Sequence, residues 1–242
     1  MIRTLGIVGY GAFGTLLSTL AKRFVPNIDV RVYSLRKEPD GVTFFSLADT
    51  ASSDVVVLAV PIHAFENKLK EILPLMRTDG IIVDVATVKA HTVEVLRRLA
   101  GNRRWIATHP MWGPESYKKK HGDVTGFRVV ITEHTLEIQD VDALSRFLSL
   151  CGFTVVSMNA DQHDIHLAET LFLTHFIGQI IARSGFDRTP IDTASFGYIM
   201  DAVESVKNDE ALFRDVFRYN PYCKEVLERF GEGEEAVRKL LG

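Results

Sequence analysis

The 242-residue chain is 46% hydrophobic, 24% charged and 10% aromatic, a composition that builds an ordinary globular core and excludes disordered, collagen-like and disulfide-built classes. Lys plus Arg total 28 against 31 Asp plus Glu, a formal charge of -3, so the positive field that drives nonspecific nucleic-acid binding is absent. Cys151 and Cys223 have neither C-x-x-C nor finger spacing, which argues against a disulfide framework and a structural metal site.

Met1 runs into a strand-like segment without a cationic and then apolar leader, and the longest apolar runs, such as 55–60, have strand length. The expectation is a cytoplasmic protein without a membrane span. Strand-like runs at 4–8, 30–33, 55–59, 81–85, 105–108, 127–132 and 154–158 alternate with helical stretches. Near-continuous Val and Ile runs predict strands covered on both faces, as in a parallel sheet with crossover helices. The fold class is therefore α/β, a Rossmann-type doubly wound sheet. Residues 136–150 space Leu136, Val141, Leu144, Phe147 and Leu148 helically and stop before Gly152.

After Met158 the strand signals cease. Residues 161–184 read as one long helix, with Leu167, Leu171, Phe172, Leu173, Phe176, Ile177, Ile180 and Ile181 spread around most of its circumference. Shorter helices at 193–207, 210–218 and 221–241 make an all-α segment too small to enclose that helix alone. The expected organisation is a dinucleotide-binding domain over 1–159 and a helical substrate and dimerisation domain over 160–242, paired as a homodimer through its helices.

Gly9-Tyr10-Gly11-Ala12-Phe13-Gly14 fits G-x-G-x-x-G between a strand and an apolar helix. The first glycine permits the turn, the second lets backbone approach a pyrophosphate and the third lets helix pack on strand. Gly9, Gly11, Ala12, Phe13 and Gly14 are thus expected to bind a dinucleotide; a glycine turn without ligand is the plain alternative. A site for NAD usually closes its second strand with an acid for the ribose 2′-hydroxyl. Here that strand ends in Ser34-Leu35-Arg36-Lys37, and Ser34, Arg36 and Lys37 offer a hydroxyl and two cations to a 2′-phosphate. NADP is the expected cofactor, with NAD possible and a solvated turn as the alternative. Val60 belongs to the 55–61 run shared by many nicotinamide dehydrogenases and joins the expected cofactor residues.

Chemistry on such a sheet sits at the carboxyl ends of strands beside the cofactor. Two segments lie there, 84–89 (Asp-Val-Ala-Thr-Val-Lys) and 108–116 (Thr-His-Pro-Met-Trp-Gly-Pro-Glu-Ser). His109 suits a general base at neutral pH, and a hydrogen-bonded histidine in a proline-rich turn is the bland alternative. No nucleophile and no metal set accompanies it.

These two segments, with His163-Asp164 and Thr174-His175, resemble the prephenate and arogenate dehydrogenase family of tyrosine biosynthesis across most of the chain. The plant-like arogenate branch is resembled through 108–116, 174–179, 189–193 and 219–229. The resemblance implies oxidative decarboxylation of arogenate or prephenate: hydride leaves C4 for the nicotinamide, His109 accepts the hydroxyl proton, and carbon dioxide departs as the ring becomes aromatic. Thr87 stands where the family commonly has serine; it orients substrate or nicotinamide, or forms an ST-turn or helix cap. Lys89 is an ion-pair partner rather than a reactant. His175 and Gln179 are assigned to the substrate's side-chain end, with core or interface packing the alternative for His175. His163 organises the cleft or acts at a helix start; twelve residues of unbroken helix put it roughly 18 Å from His175 along the axis, too far for both to touch one small substrate. Asp192 meets the ammonium of arogenate or caps the next helix. The arginine with which many bacterial members hold the ring carboxylate has no counterpart, which leaves Arg188, Arg183 and the Lys118, Lys119, Lys120 run as candidates. Another NADP-dependent β-hydroxyacid or imine oxidoreductase, or a noncatalytic NADP-sensing protein, are the competing functions.

Overall fold

In the computed structural model, which describes residues 2–242, the chain divides after Ala160 into two compact units. The first is built on seven strands: β1 (Thr4–Val8), β2 (Asp29–Tyr33), β3 (Val55–Leu58), β4 (Ile81–Asp84), β5 (Arg104–Pro110), β6 (Arg128–His134) and β7 (Thr154–Ser157). They form one sheet in the order β2-β1-β3-β4-β5-β6-β7. Between them run α1 (Ala12–Phe24), α2 (Leu47–Ala51), α3 (Ile62–Ile72), α4 (Lys89–Ala100), α5 (Pro114–Lys119) and α6 (Ile138–Leu150). Phe65, Leu69 and Ile72 of α3 and Val93 and Leu96 of α4 pack with Val56, Leu58 and Ile82 of the sheet, whereas Leu16 and Leu20 of α1 pack with Val129 and Phe153. The sheet is thus covered on both faces, as its apolar runs require.

All seven expected strands form, with one departure in direction. Strands β1 to β5 are parallel, but β6 is antiparallel to β5, and β7 is parallel to β6. The 111–127 connection contains only the six-residue α5, which is too short to carry the chain back along the sheet, so β6 starts beside the end of β5. The register is flush across the parallel part: Tyr33 lies opposite Val8, Val8 opposite Leu58, Leu58 opposite Asp84, and Asp84 opposite Ala107. Every loop that leaves a carboxyl end from β2 to β5 therefore opens on one edge of the sheet. Strand order reverses beside β1, the switch point where ligands enter this class of fold.

The second unit, Asp161–Gly242, is helical. Helix α7 (Ala160–Leu167) passes into a π-helical turn (Ala168–Phe172) and then α8 (Leu173–Arg183), followed by α9 (Ala194–Val206), α10 (Glu210–Tyr219) and α11 (Cys223–Leu240). The long helix expected over 161–184 is present but not regular. A π turn takes in about one extra residue, so His163 and His175 rotate like a pair eleven apart in an α-helix, by roughly 20° instead of roughly 120°. Both rings are buried. The turn keeps Asp164, Ala168, Phe172, His175 and Gln179 on one inward stripe. Phe172 stacks on Phe176, Phe213 and Phe217. At Gly178 the helices approach so closely that a Cβ would stand 2.4 Å from Val206 Cγ2. The helix Ala160–Arg183 is 24 residues long and contains an 18-residue window of mean hydropathy 1.3, so by length and composition alone it could cross a membrane, a test that the core helix of a globular unit also passes.

Candidate active site

The glycine loop joins β1 to α1. Gly9 has φ +116°, and a Cβ there would stand 2.2 Å from the Ala59 carbonyl oxygen; at Gly14 it would stand 2.1 Å from that of Gly9. These two glycines serve the turn and the packing of helix on strand. Gly11 differs, because a Cβ there meets nothing within 4 Å. It is the N-cap of α1, without a side-chain cap bond and with no acidic residue in the first turn, so the first N–H groups are left for an anion. Val60 flanks the turn, its Cγ1 lying 3.3 Å from the position of a Gly9 Cβ. Phe13 turns its ring onto Trp112, with centroids 5.7 Å apart, so its share in ligand binding falls to the backbone.

At the end of β2, Ser34 Oγ accepts the Arg36 N–H at 3.2 Å, and Arg36 and Lys37 are exposed. Asp29 is the first residue of β2 and pairs with Arg31 at 2.9 Å, at the far end from the glycine loop. No carboxylate therefore closes the strand.

His109 lies near the end of β5 and is only 5% exposed. Just before it the β5–β6 register slips: Ala107 faces Glu133 but Thr108 faces Ile131, leaving Thr132 as an extra residue on β6. Such bulges twist a strand and redirect the side chains that follow. The next residues are fixed by the Met111 N–H, which donates to the Arg128 oxygen at 2.9 Å, and by Trp112, stacked on Phe127 and Phe153. Thr87 is half-buried in the turn after β4. The N-cap of α4 is Val88, with no side-chain cap bond, so Thr87 does not cap that helix.

In the helical unit, His163 Nδ1 lies 2.7 Å from Asp164 Oδ1 in a buried pair, and Asn220 Nδ2 donates to the Asp164 main-chain oxygen at 2.8 Å. His175 is 5% exposed, stacks on Phe213, and has no hydrogen-bond partner for Nδ1 among the described residues. Burial holds its imidazole below the ordinary range, opposed by the Asp209 carboxylate. The folded protein thus resists a proton that the unfolded chain accepts near pH 6.5, so stability from this site is present above that pH and lost as pH falls below it. His175→Phe should flatten the loss of urea midpoint between pH 7.5 and 5.5; an unchanged loss would contradict the assignment.

Gln179 is drawn into packing. Its Nε2 donates to the Val206 and Lys207 carbonyls at 3.0 and 3.2 Å, closing the end of α9, and its Oε1 accepts from Arg183. Asp192 Oδ1 accepts from the Thr189 N–H and hydroxyl at 2.8 and 2.9 Å, and the cap of α9 is Thr193 instead, bonded to the Phe196 N–H. Arg188 is paired with Asp201 and Glu204. Burial pushes the Cys223 thiol up to about 12, which disfavours the thiolate there.

The family model for the prephenate dehydrogenase nucleotide-binding domain matches residues 39–157, and one for the TYRAAT1-like C-terminal domain matches 180–242. Arogenate dehydrogenase 1, chloroplastic, of Arabidopsis thaliana is 31% identical over 98% of this chain and 39% of its own length. The chain belongs to the prephenate/arogenate dehydrogenase family. Its plant relatives are longer: it spans 39% of the first and 69% of arogenate dehydrogenase 2, chloroplastic. The cyclohexadienyl dehydrogenase of Zymomonas mobilis is 26% identical over 95% of this chain and 85% of its own. Prephenate dehydrogenase from Aquifex aeolicus, solved with hydroxyphenyl propionate and NAD+, shares the fold with a TM-score of 0.78 at 20% identity, over 100% of this chain and 91% of that one.

In this family member the open space at Gly11, the bare helix start and the flush strand ends fit a nicotinamide dinucleotide laid across the sheet edge. The two segments 84–89 and 108–116 are joined here with one residue beyond them, Thr92. Asp84, Lys89, Thr92 and Thr108 are all buried and joined in one hydrogen-bonded network, Thr108 being the residue before His109. Thr92 carried no signal in the sequence beyond a polar residue on the inner face of an amphipathic helix.

Proposed function

We propose that the chain catalyses the NADP-dependent oxidative decarboxylation of arogenate to tyrosine or of prephenate to 4-hydroxyphenylpyruvate, with arogenate preferred because the plant relatives bear that name. The observation that carries this reading is the placement of a buried histidine on the same sheet edge as the glycine loop, three strands away, or roughly 14 Å. When bound, the dinucleotide supplies the hydride acceptor. Gly11, Ala12 and the Phe13 backbone hold its pyrophosphate end on the turn that Gly9 and Gly14 shape and Val60 flanks, and Ser34, Arg36 and Lys37 hold its 2′-phosphate. His109 takes the proton of the C4 hydroxyl as that carbon is oxidised. The electrons of the departing carboxylate then enter the ring, and the proton returns to the phenolic oxygen. Thr87 orients the hydroxyl. In the helical unit, the unpartnered Nδ1 of His175 is assigned to the substrate's side-chain end, and His163 with Asp164 braces its helix.

Absorbance at the reduced-nicotinamide band, with each substrate tested against each dinucleotide, decides the reading; dinucleotide binding without turnover of either substrate would favour a sensing role. Neutralising Arg36 and Lys37 as Gln should raise KM for NADP by about tenfold or more and leave KM for NAD within about twofold, since two charge-assisted contacts go only to the 2′-phosphate. Equal effects on both would remove the NADP preference. Exposed Ile180, Ile191, Tyr198 and Ile199 on the helical unit support association as a homodimer, to be sized by light scattering.

A further inference from the structure

Asp84 and Lys89 are fully buried, with Nζ 2.5 Å from Oδ2. Two charges taken from water form a poor source of stability, because apolar residues of the same volume hold a fold at least as well. What the pair grips accounts for its presence. Asp84 Oδ1 accepts the Ala86 N–H at 2.7 Å, which fixes the turn that carries Thr87. Its Oδ2 also accepts Thr92 Oγ1 at 2.6 Å. Lys89 Nζ donates to the Thr108 carbonyl at 2.7 Å, the oxygen of the peptide unit shared with His109, while Thr108 Oγ1 donates to the Asp84 main-chain oxygen at 2.8 Å.

The sheet holds this stretch on its β6 flank only. The β4–β5 ladder ends at Asp84 and Ala107, and on the other side β6 slips register between Ala107 and Thr108. Past the slip β6 pairs again, Thr108 with Ile131 and His109 with Val130, whereas on the β4 flank the ladder has ended and the ammonium takes its place at the Thr108 carbonyl. We propose that the Asp84–Lys89 pair is a clamp that sets the separation of Thr87 and His109, holding the first through the Ala86 N–H and the second through the Thr108–His109 peptide. Asp84 and Lys89 are then positioning residues. This rests on the reading of Thr87 and His109 as the reacting groups.

The test compares Lys89→Met, which strands the carboxylate, with Asp84→Asn/Lys89→Met, which removes both charges yet keeps an oxygen for the Ala86 N–H and turns an amide N–H toward the Thr92 hydroxyl oxygen. Melting temperature, dinucleotide Kd, KM and kcat are measured, together with the 15N ring resonances of His109, assigned by their loss in His109→Asn. The single variant should lose stability and about a hundredfold in kcat, the cost of roughly 1 Å of misplacement. The double variant should regain its melting temperature but not its kcat, with KM and Kd within about twofold of the parent and the His109 resonances displaced in both. Recovery of kcat together with stability would reduce the pair to a structural element and overturn the clamp. Thr108→Val, which removes only the bond to the Asp84 oxygen, should displace the same resonances and lower kcat about tenfold; parent-like resonances there overturn the clamp even if the charge variants fail to fold. The ring resonances are read without substrate, so a parent that turns over neither substrate would count against the dehydrogenase reading alone.

Discussion

His109→Asn should lower turnover by ~10²–10⁴ while the dinucleotide Kd stays within about twofold, because general acid–base catalysis by a positioned side chain is worth about that factor. The two effects separate because of where the side chain stands. His109 leaves β5, whereas the glycine loop leaves β1, with β3 and β4 between them, so the substitution removes no group that holds the pyrophosphate. Asparagine is smaller than histidine and retains a donor and an acceptor, so the 5% exposed position keeps a polar side chain and the melting temperature should change little. The loss should fall on kcat rather than KM, the signature of an interaction made in the transition state. Parent-like kcat would sink the proton-transfer role, whereas a loss of dinucleotide binding equal to the loss of turnover would show that the variant had disturbed the sheet edge instead.

That histidine was legible in the sequence because it stands in a dense motif at the end of a buried apolar run, and strand ends are where this architecture exposes polar groups. The glycine loop was legible for the same reason, as were all seven strands and, to within a few residues, the bounds of the helices from 136 onward. What pattern could not show was direction and detail. The reversal of β6 depends on the connection after Pro110 holding only a six-residue helix, and the strand's own Val-Val-Ile run reads alike in either direction. The π turn at Ala168–Phe172 adds no residue type that marks it, yet it turns His175 by about 100° relative to an unbroken helix. Gln179 follows a histidine motif in sequence, but its amide is committed to the end of α9, a partner 27 residues away that no local spacing reveals. Asp192 likewise sits one residue too early to cap α9, and its carboxylate turns back to Thr189.

Gly11→Ala and Gly9→Ala should fail in opposite ways, although both glycines stand in one six-residue motif. At Gly9 the backbone has φ +116°, which an L side chain rarely adopts, and the added methyl would stand 2.2 Å from a main-chain oxygen of the neighbouring strand end. Backbone cannot step aside as a flexible side chain can, so Gly9→Ala should lower the melting temperature sharply and lose the dinucleotide as a consequence. Gly11 has an ordinary extended conformation, φ -79° and ψ -172°, and space around it, so Gly11→Ala should fold with a melting temperature close to the parent's, less the few tenths to about 1 kcal/mol that alanine costs as an N-cap. Its methyl instead enters the space in which an anion meets the first N–H groups of α1. A Kd for the dinucleotide at least about tenfold weaker is expected, the scale of losing close backbone approach to one charged group. Titration by protein fluorescence beside a thermal melt separates the two outcomes. A Gly11→Ala protein that binds NADP as tightly as the parent would mean that the pyrophosphate does not lie against this helix start, and the dinucleotide would then have to be placed elsewhere on the sheet edge.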